Sequence, residues 1–160
     1  MFCFIVLCHH RRVVVHFDAT AHPTADWTAR QIVEVFPENS APRFLIRDRD
    51  GIYGQSFREC VKHMGIEEVV IAPRSPWQTP YVERLIGSIR REWLEHVIIL
   101  NERHLLRILR SYFDYHLHTR THLFLDRKSP VEREIESPEH GEIIAIPQVG
   151  GLHHRYARAA

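Results

Sequence analysis

Global basicity is the first thing missing from this sequence. Lys and Arg together number 21 against 20 Asp and Glu, a formal net charge of +1, so the chain as a whole offers no attraction to a polyanion. Disulfide chemistry is missing too. Cys3, Cys8 and Cys60 are an odd number without C-x-x-C spacing, which excludes a disulfide framework and a zinc knuckle and leaves them as buried thiols of a reducing compartment. The apolar run from Phe2 to Leu7 is too short to span a bilayer, which takes about 20 residues, and it has neither a basic flank nor a small-residue cleavage site. No membrane association and a cytoplasmic location are therefore expected. Repeats and low-complexity stretches are absent, and with 44% apolar and 26% charged residues the chain of 160 can bury a sizeable core.

What is present is an alternation of periods. Phe2 to Cys8 and Val13 to Phe17 are β-branched apolar runs joined by His9-His10-Arg11-Arg12, which predicts a β-hairpin. Thr24 is a candidate N-cap for a helix that ends near Phe36, before Pro37, with Ala29, Ile32, Val33 and Phe36 on one face; Glu38 to Pro42 connects it onward. Arg43 to Arg47 predicts a short strand, ended by the turn chemistry of Asp48-Arg49-Asp50-Gly51. A helix over Gln55 to Met64 stops at Gly65, and Glu67 to Ala72 is a further strand. After the loop from Pro73 to Pro80, a helix buries Val82, Leu85, Ile86, Ile89 and Trp93. Another, from about Glu102 to Leu117, buries Leu105, Leu106, Ile108, Leu109, Tyr112 and Phe113. Such an order predicts an α/β fold with a mixed sheet. Residues 131–160, with Pro138, Pro147 and Gly150-Gly151, read as an extended tail behind a core over residues 1–130.

Charge is distributed unevenly along this frame. From Arg74 to Arg110 there are seven Arg and four Glu, a local positive excess that an ordinary solvated helix face also produces. The 13 histidines are scattered, and adjacent pairs such as His9-His10 and His153-His154 point to opposite faces of a strand, which suits surface roles better than metal binding.

Two carboxylates stand out by position. Asp48 falls at the carboxyl end of a strand, where open α/β sheets place ligands, and Glu83 falls in the first turn of a helix. Hard cations such as Mg²⁺ or Mn²⁺ take carboxylate oxygens and leave positions open for phosphate, so this pair could serve phosphoryl transfer. Singly, each has an ordinary explanation: Asp before a Gly turn is a turn former, and Glu at a helix start complements the dipole. Arg90 lies two turns beyond Glu83 on the same face.

The joint pattern resembles the DDE superfamily, the catalytic cores of retroviral integrases and insertion-sequence transposases. Between Asp48 and Glu83 lie 34 residues (83 − 48 − 1), similar to the family's spacing of about 35. D-R-D-G-I-Y at Asp48 to Tyr53 resembles its D-x-G-x-x-[YF] turn with Gly shifted by one; Asp50, the competing acid, would shorten the interval by two. Arg90 stands seven residues after Glu83, where the family has Lys or Arg, and Glu92 where it often repeats an acid; Thr79 replaces a frequent Asn. Further on, Tyr115, Arg120, His122, Leu125 and Pro130 resemble the closing motif Y-N-x-x-R-x-H-x-x-L-x-x-x-[ST]-P.

The resemblance implies a ribonuclease-H-like mixed sheet flanked by helices and a two-metal Mg²⁺ or Mn²⁺ site with Asp48 and Glu83 as ligands. It also implies Arg84, Arg90, Arg91 and Trp77 near DNA, with Trp77 packed over a sheet edge as the alternative. The partners implied are DNA, as transposon ends and target, and further copies of the chain. In that scheme Phe2 to Cys8 takes the second-strand position, so the central first strand and its Asp are not found here, and Asp18 is not expected to reach Asp48. Integration and strand transfer by lineage, with impaired or no activity for the chain alone, is the expectation; a non-enzymatic DNA-binding or dimerising protein is the alternative.

Overall fold

Residues 1–37 and 40–159 are described by the computed structural model. The hairpin forms as the apolar runs dictate: β1 (Phe2–Cys8) pairs with β2 (Val13–Thr20), which continues past the expected end at Phe17. Arg11 and Arg12 take positive φ at the tip (52° and 57°), the left-handed geometry that reverses the chain. Helix α1 (Ala25–Val35) starts at Thr24, whose hydroxyl accepts the Trp27 N–H at 3.1 Å. Of the connection expected from Glu38 to Pro42, Glu38 and Asn39 lie outside the described residues. Then follow β3 (Phe44–Arg47), α2 (Gln55–His63) and β4 (Glu67–Val70). Gly65 (φ +71°) ends α2 in the left-handed region and lets the Ile66 N–H reach the Val61 carbonyl at 3.1 Å. Helices α3 (Pro80–Glu92) and α4 (Glu102–His118) complete the predicted series. No helix among the described residues is long and apolar enough to cross a membrane.

The chain divides into two compact units: residues 1–6 with Val15–Arg84, and residues 7–14 with everything from Leu85 onward. In the first unit Phe4, Val6, Ile32, Phe57, Val61 and Ile66 form the buried core, with Leu45 and Tyr53 packed against it. Trp27 stands edge-on to Phe2 and Phe4, at 6.2 and 6.0 Å, and the buried Thr28 hydroxyl donates to the Ile52 carbonyl at 2.6 Å, tying α1 to the loop after β3. Strand β3 pairs with β4 in parallel, Phe44 opposite Glu67 through Arg47 opposite Val70. The α/β character is as expected, but among the described residues the strands form separate two-stranded sheets and not one continuous sheet. β1 and β3 both supply this core, yet no described strand bridges them, and β3 keeps Phe44 and Ile46 exposed.

In the second unit α4 buries Leu105, Ile108, Leu109, Tyr112, Phe113 and His116, and Leu85, Ile89 and Trp93 are buried as well. Residues 131–160, expected as an extended tail, differ. Glu142–Gln148 (β5) and His153–Ala159 (β6) pair antiparallel in full register, from Glu142 opposite Ala159 to Gln148 opposite His153. Gly150 and Gly151, at φ +62° and +89°, supply the reversal, so the Gly pair is a hairpin turn and not a linker. The thiols also differ from expectation: Cys8 is exposed, while Cys3 and Cys60 are half-buried. Strand ends place side chains at a rim, and Cys8 is the last residue of β1.

Candidate nucleic-acid interface and carboxylate pair

Asp48 sits directly after β3, exposed, and its Oδ1 accepts the Asp50 N–H at 3.0 Å. Asp50 repeats the device two residues on, its Oδ1 accepting the Ile52 N–H at 3.1 Å, so both candidate acids are engaged in turns of their own backbone. Arg47 holds the base of this turn. Its guanidinium meets Glu68 Oε2 at 2.5 Å, donates to the Asp48 carbonyl at 2.9 Å and lies over the Tyr53 ring. Tyr53 is kept protonated well beyond the ordinary phenol range, first by burial and then by the Asp48 and Asp50 carboxylates, with Arg47 opposing.

The loop that leads to Glu83 is built by its own polar atoms. Gln78 Oε1 accepts the Ala72 N–H at 2.7 Å, Ser75 is buried and donates to the Pro73 carbonyl, and Arg74 takes φ +55°. Trp77, at 71% exposure, is thereby displayed to solvent and not packed over a sheet edge. Glu83 is exposed in the first turn of α3, its N–H donating to the Thr79 carbonyl at 3.1 Å. Arg84, Arg90 and Arg91 are exposed along the same helix. A Cβ at Gly87 would lie 3.1 Å from Arg91 Nη1, so this glycine makes room for the Arg91 side chain against the helix.

No three Asp, Glu, His or Cys side chains among the described residues converge into a group that could hold a metal ion. Neither Asp48 nor Glu83 therefore belongs to such a donor set, and a two-metal centre would need a further protein ligand. Asp18 does not supply it. Lying within β2, it accepts the Ala19 N–H at 2.8 Å, and its charge adds to the burial that pushes the Cys3 thiol up to about 11.

The closing motif has a different use, which the sequence signalled without explaining. Arg120 donates from Nε to Glu92 Oε2 at 3.1 Å and from Nη2 to Oε1 at 2.5 Å, and the Tyr112 hydroxyl donates to the same carboxylate at 2.8 Å. The acid after Glu83 in the family pattern is thus held by the motif's arginine at the C-terminal end of α3. His122 stands edge-on to His116 at 4.8 Å, and Tyr115 stacks on His153 at 4.7 Å. Carbonyls of Ser129 and Pro130 accept from Arg11 at 3.0 and 2.8 Å. Burial, then His122 and Arg120, hold His116 down to about 3, and burial with Arg120 lowers His122, so both rings stay neutral at physiological pH.

The fold is integrase-core-like. Residues 64–130 match the family model described as integrase core domain, a segment that includes Glu83, Arg84, Arg90, Arg91, Glu92 and the whole closing motif. The fold is similar to that of a chain in the structure of the simian T-cell lymphotropic virus intasome in complex with PP2A regulatory subunit B56 gamma. That likeness has a TM-score of 0.57 at 14% identity, covering 96% of this chain and 59% of that one. This chain thus spans less than two thirds of that protein's length. No curated protein matches it.

Proposed function

We propose that the protein is a DNA-handling relative of integrases and insertion-sequence transposases, engaging duplex phosphates through α3. Arg84, Arg90 and Arg91 are the phosphate contacts and Trp77 the flanking loop contact. Asp48 and Glu83 are the two carboxylates of a divalent-metal site that needs a further ligand for strand transfer. The observation that carries this reading is the integrase-core match over residues 64–130, because it covers the basic helix, Glu83 and the motif that anchors the helix end. Self-association is part of the proposal, since the similar fold occurs in an intasome.

The missing third ligand favours weak or absent joining by the isolated chain, with DNA binding retained. Joining of a short duplex is measured with Mg²⁺ and with Mn²⁺, in parallel with Glu83→Gln. Any joining is expected to vanish in Glu83→Gln; equal joining by both proteins would remove Glu83 from the site.

A further inference from the structure

The carboxylate pair and α3 leave a second basic surface unused. Arg103, Arg107 and Arg110 recur along α4 at intervals of four and three residues, which places them on one face over about two turns. All three are exposed, and none forms an ion pair among the described residues. The acids of α4 lie towards its ends: Glu102 in the first turn, and Asp114, which pairs with His118 at 3.2 Å.

Beside this stripe opens a cleft of about 470 Å³ lined by Trp93, Val97, Ile98, His104, Arg107, Ile108 and Ser111. Its walls are apolar, and Ile98 is 82% exposed. Its polar groups are mostly donors. The Trp93 indole N–H, covered from solvent, has no hydrogen-bond partner among the described residues. His104 Nδ1 accepts the Leu100 N–H at 3.3 Å, which leaves Nε2 as the ring's donor. Arg107 belongs to both features, a cation at the edge of an apolar slot.

We propose that this face of α4 is a track for single-stranded nucleic acid, in which the three arginines hold successive phosphates and the cleft receives one unstacked base. A slot of apolar walls and donors fits the π-face and carbonyl acceptors of a pyrimidine. A duplex cannot present such a base without first unstacking it. The positive rim favours an anionic partner over an apolar protein segment, and the cleft that can take a planar ring favours a nucleic acid over an acidic peptide. The inference rests on the reading of this chain as a nucleic-acid-handling protein and adds residues other than those of α3.

The test uses the full chain with a labelled oligothymidylate and a duplex, read by fluorescence anisotropy across a salt series. Oligothymidylate is expected to bind more tightly than the duplex. Neutralising the stripe (Arg103→Gln, Arg107→Gln, Arg110→Gln) should lower the single-strand salt slope by about 2, at about 0.7 per phosphate, and weaken binding about 100-fold near 0.1 M salt. The same substitutions should leave duplex binding nearly unchanged. Ile98→Asn should weaken single-strand binding several-fold at unchanged slope. Equal loss for duplex and single strand, or unaltered oligothymidylate binding by the triple variant, overturns the proposal, as does an acidic peptide that competes as well as oligothymidylate. Single-strand binding without duplex binding would instead refute the α3 reading and leave the track in place.

Discussion

Replacing Arg120 with alanine tests the role of the closing motif most sharply. The substitution removes two charge-assisted bonds to Glu92, whose side chain is 21% exposed, while that of Arg120 is 27% exposed. Losing one partner of a fully buried pair costs about 3–5 kcal/mol, whereas an exposed pair contributes about 0–1 kcal/mol. With both side chains mostly covered but reached by water, about 2 kcal/mol is expected for Arg120→Ala. The Glu92 carboxylate is left with the Tyr112 hydroxyl as its remaining bonded partner. In urea this is a midpoint shift of about 1 M at a slope near 2 kcal/mol per M. Glu92→Gln in the Arg120→Ala background should recover part of the loss, because no unpaired charge then remains. The double-mutant cycle should return a coupling of about 1–2 kcal/mol. A coupling below about 0.5 kcal/mol would show that the pair does not anchor the helix end.

Acid should loosen the unit around His116. Its folded proton affinity is depressed from the ordinary 6.5 to about 3, so the folded state binds fewer protons than the unfolded one in that window. The stability contribution is complete above about pH 6.5 and falls by about 1.4 kcal/mol per pH unit as pH drops towards 3. A pH series of urea midpoints in which His116→Gln keeps the same slope would contradict the assignment. Phe57→Ala, at a fully buried site beside Val61 and Ile32, should cost about 3–5 kcal/mol in the same assay. Gly65→Ala should cost about 1–2 kcal/mol by thermal melting, from its positive φ alone, since the space around it is open. A neutral Gly65→Ala would mean that the turn relaxes.

Strong local rules made most of the elements legible in the sequence. Unbroken β-branched runs set the hairpin, Thr24 capped α1 as read, and Gly65 ended α2 through the conformation that glycine alone adopts easily. The tail was misread because Ile143 to Ile146 has no alternation to announce a strand and its partner is a polar run, His153 to Arg158. Backbone pairing closed by two glycines holds them together without a one-sided apolar pattern. Asp48 and Glu83 were legible as positions, by spacing, but spacing carries no information on convergence, and no group of three such ligands forms among the described residues. The Arg120–Glu92 pair was hidden because its partners are 28 residues apart and each looked like an independent motif position. His116 was unreadable for a simpler reason: a histidine on the buried stripe of a helix carries no sequence mark of its desolvation.

We propose that α3 meets DNA through Arg84, Arg90 and Arg91. A salt titration of duplex binding by the full chain and by its Arg84→Gln, Arg90→Gln, Arg91→Gln variant tests it directly. Three lost phosphate contacts should lower the slope of log K against log salt by about 2.7, at about 0.9 per contact on duplex DNA. An unchanged slope, or no duplex binding by the unaltered chain, would contradict that role for α3.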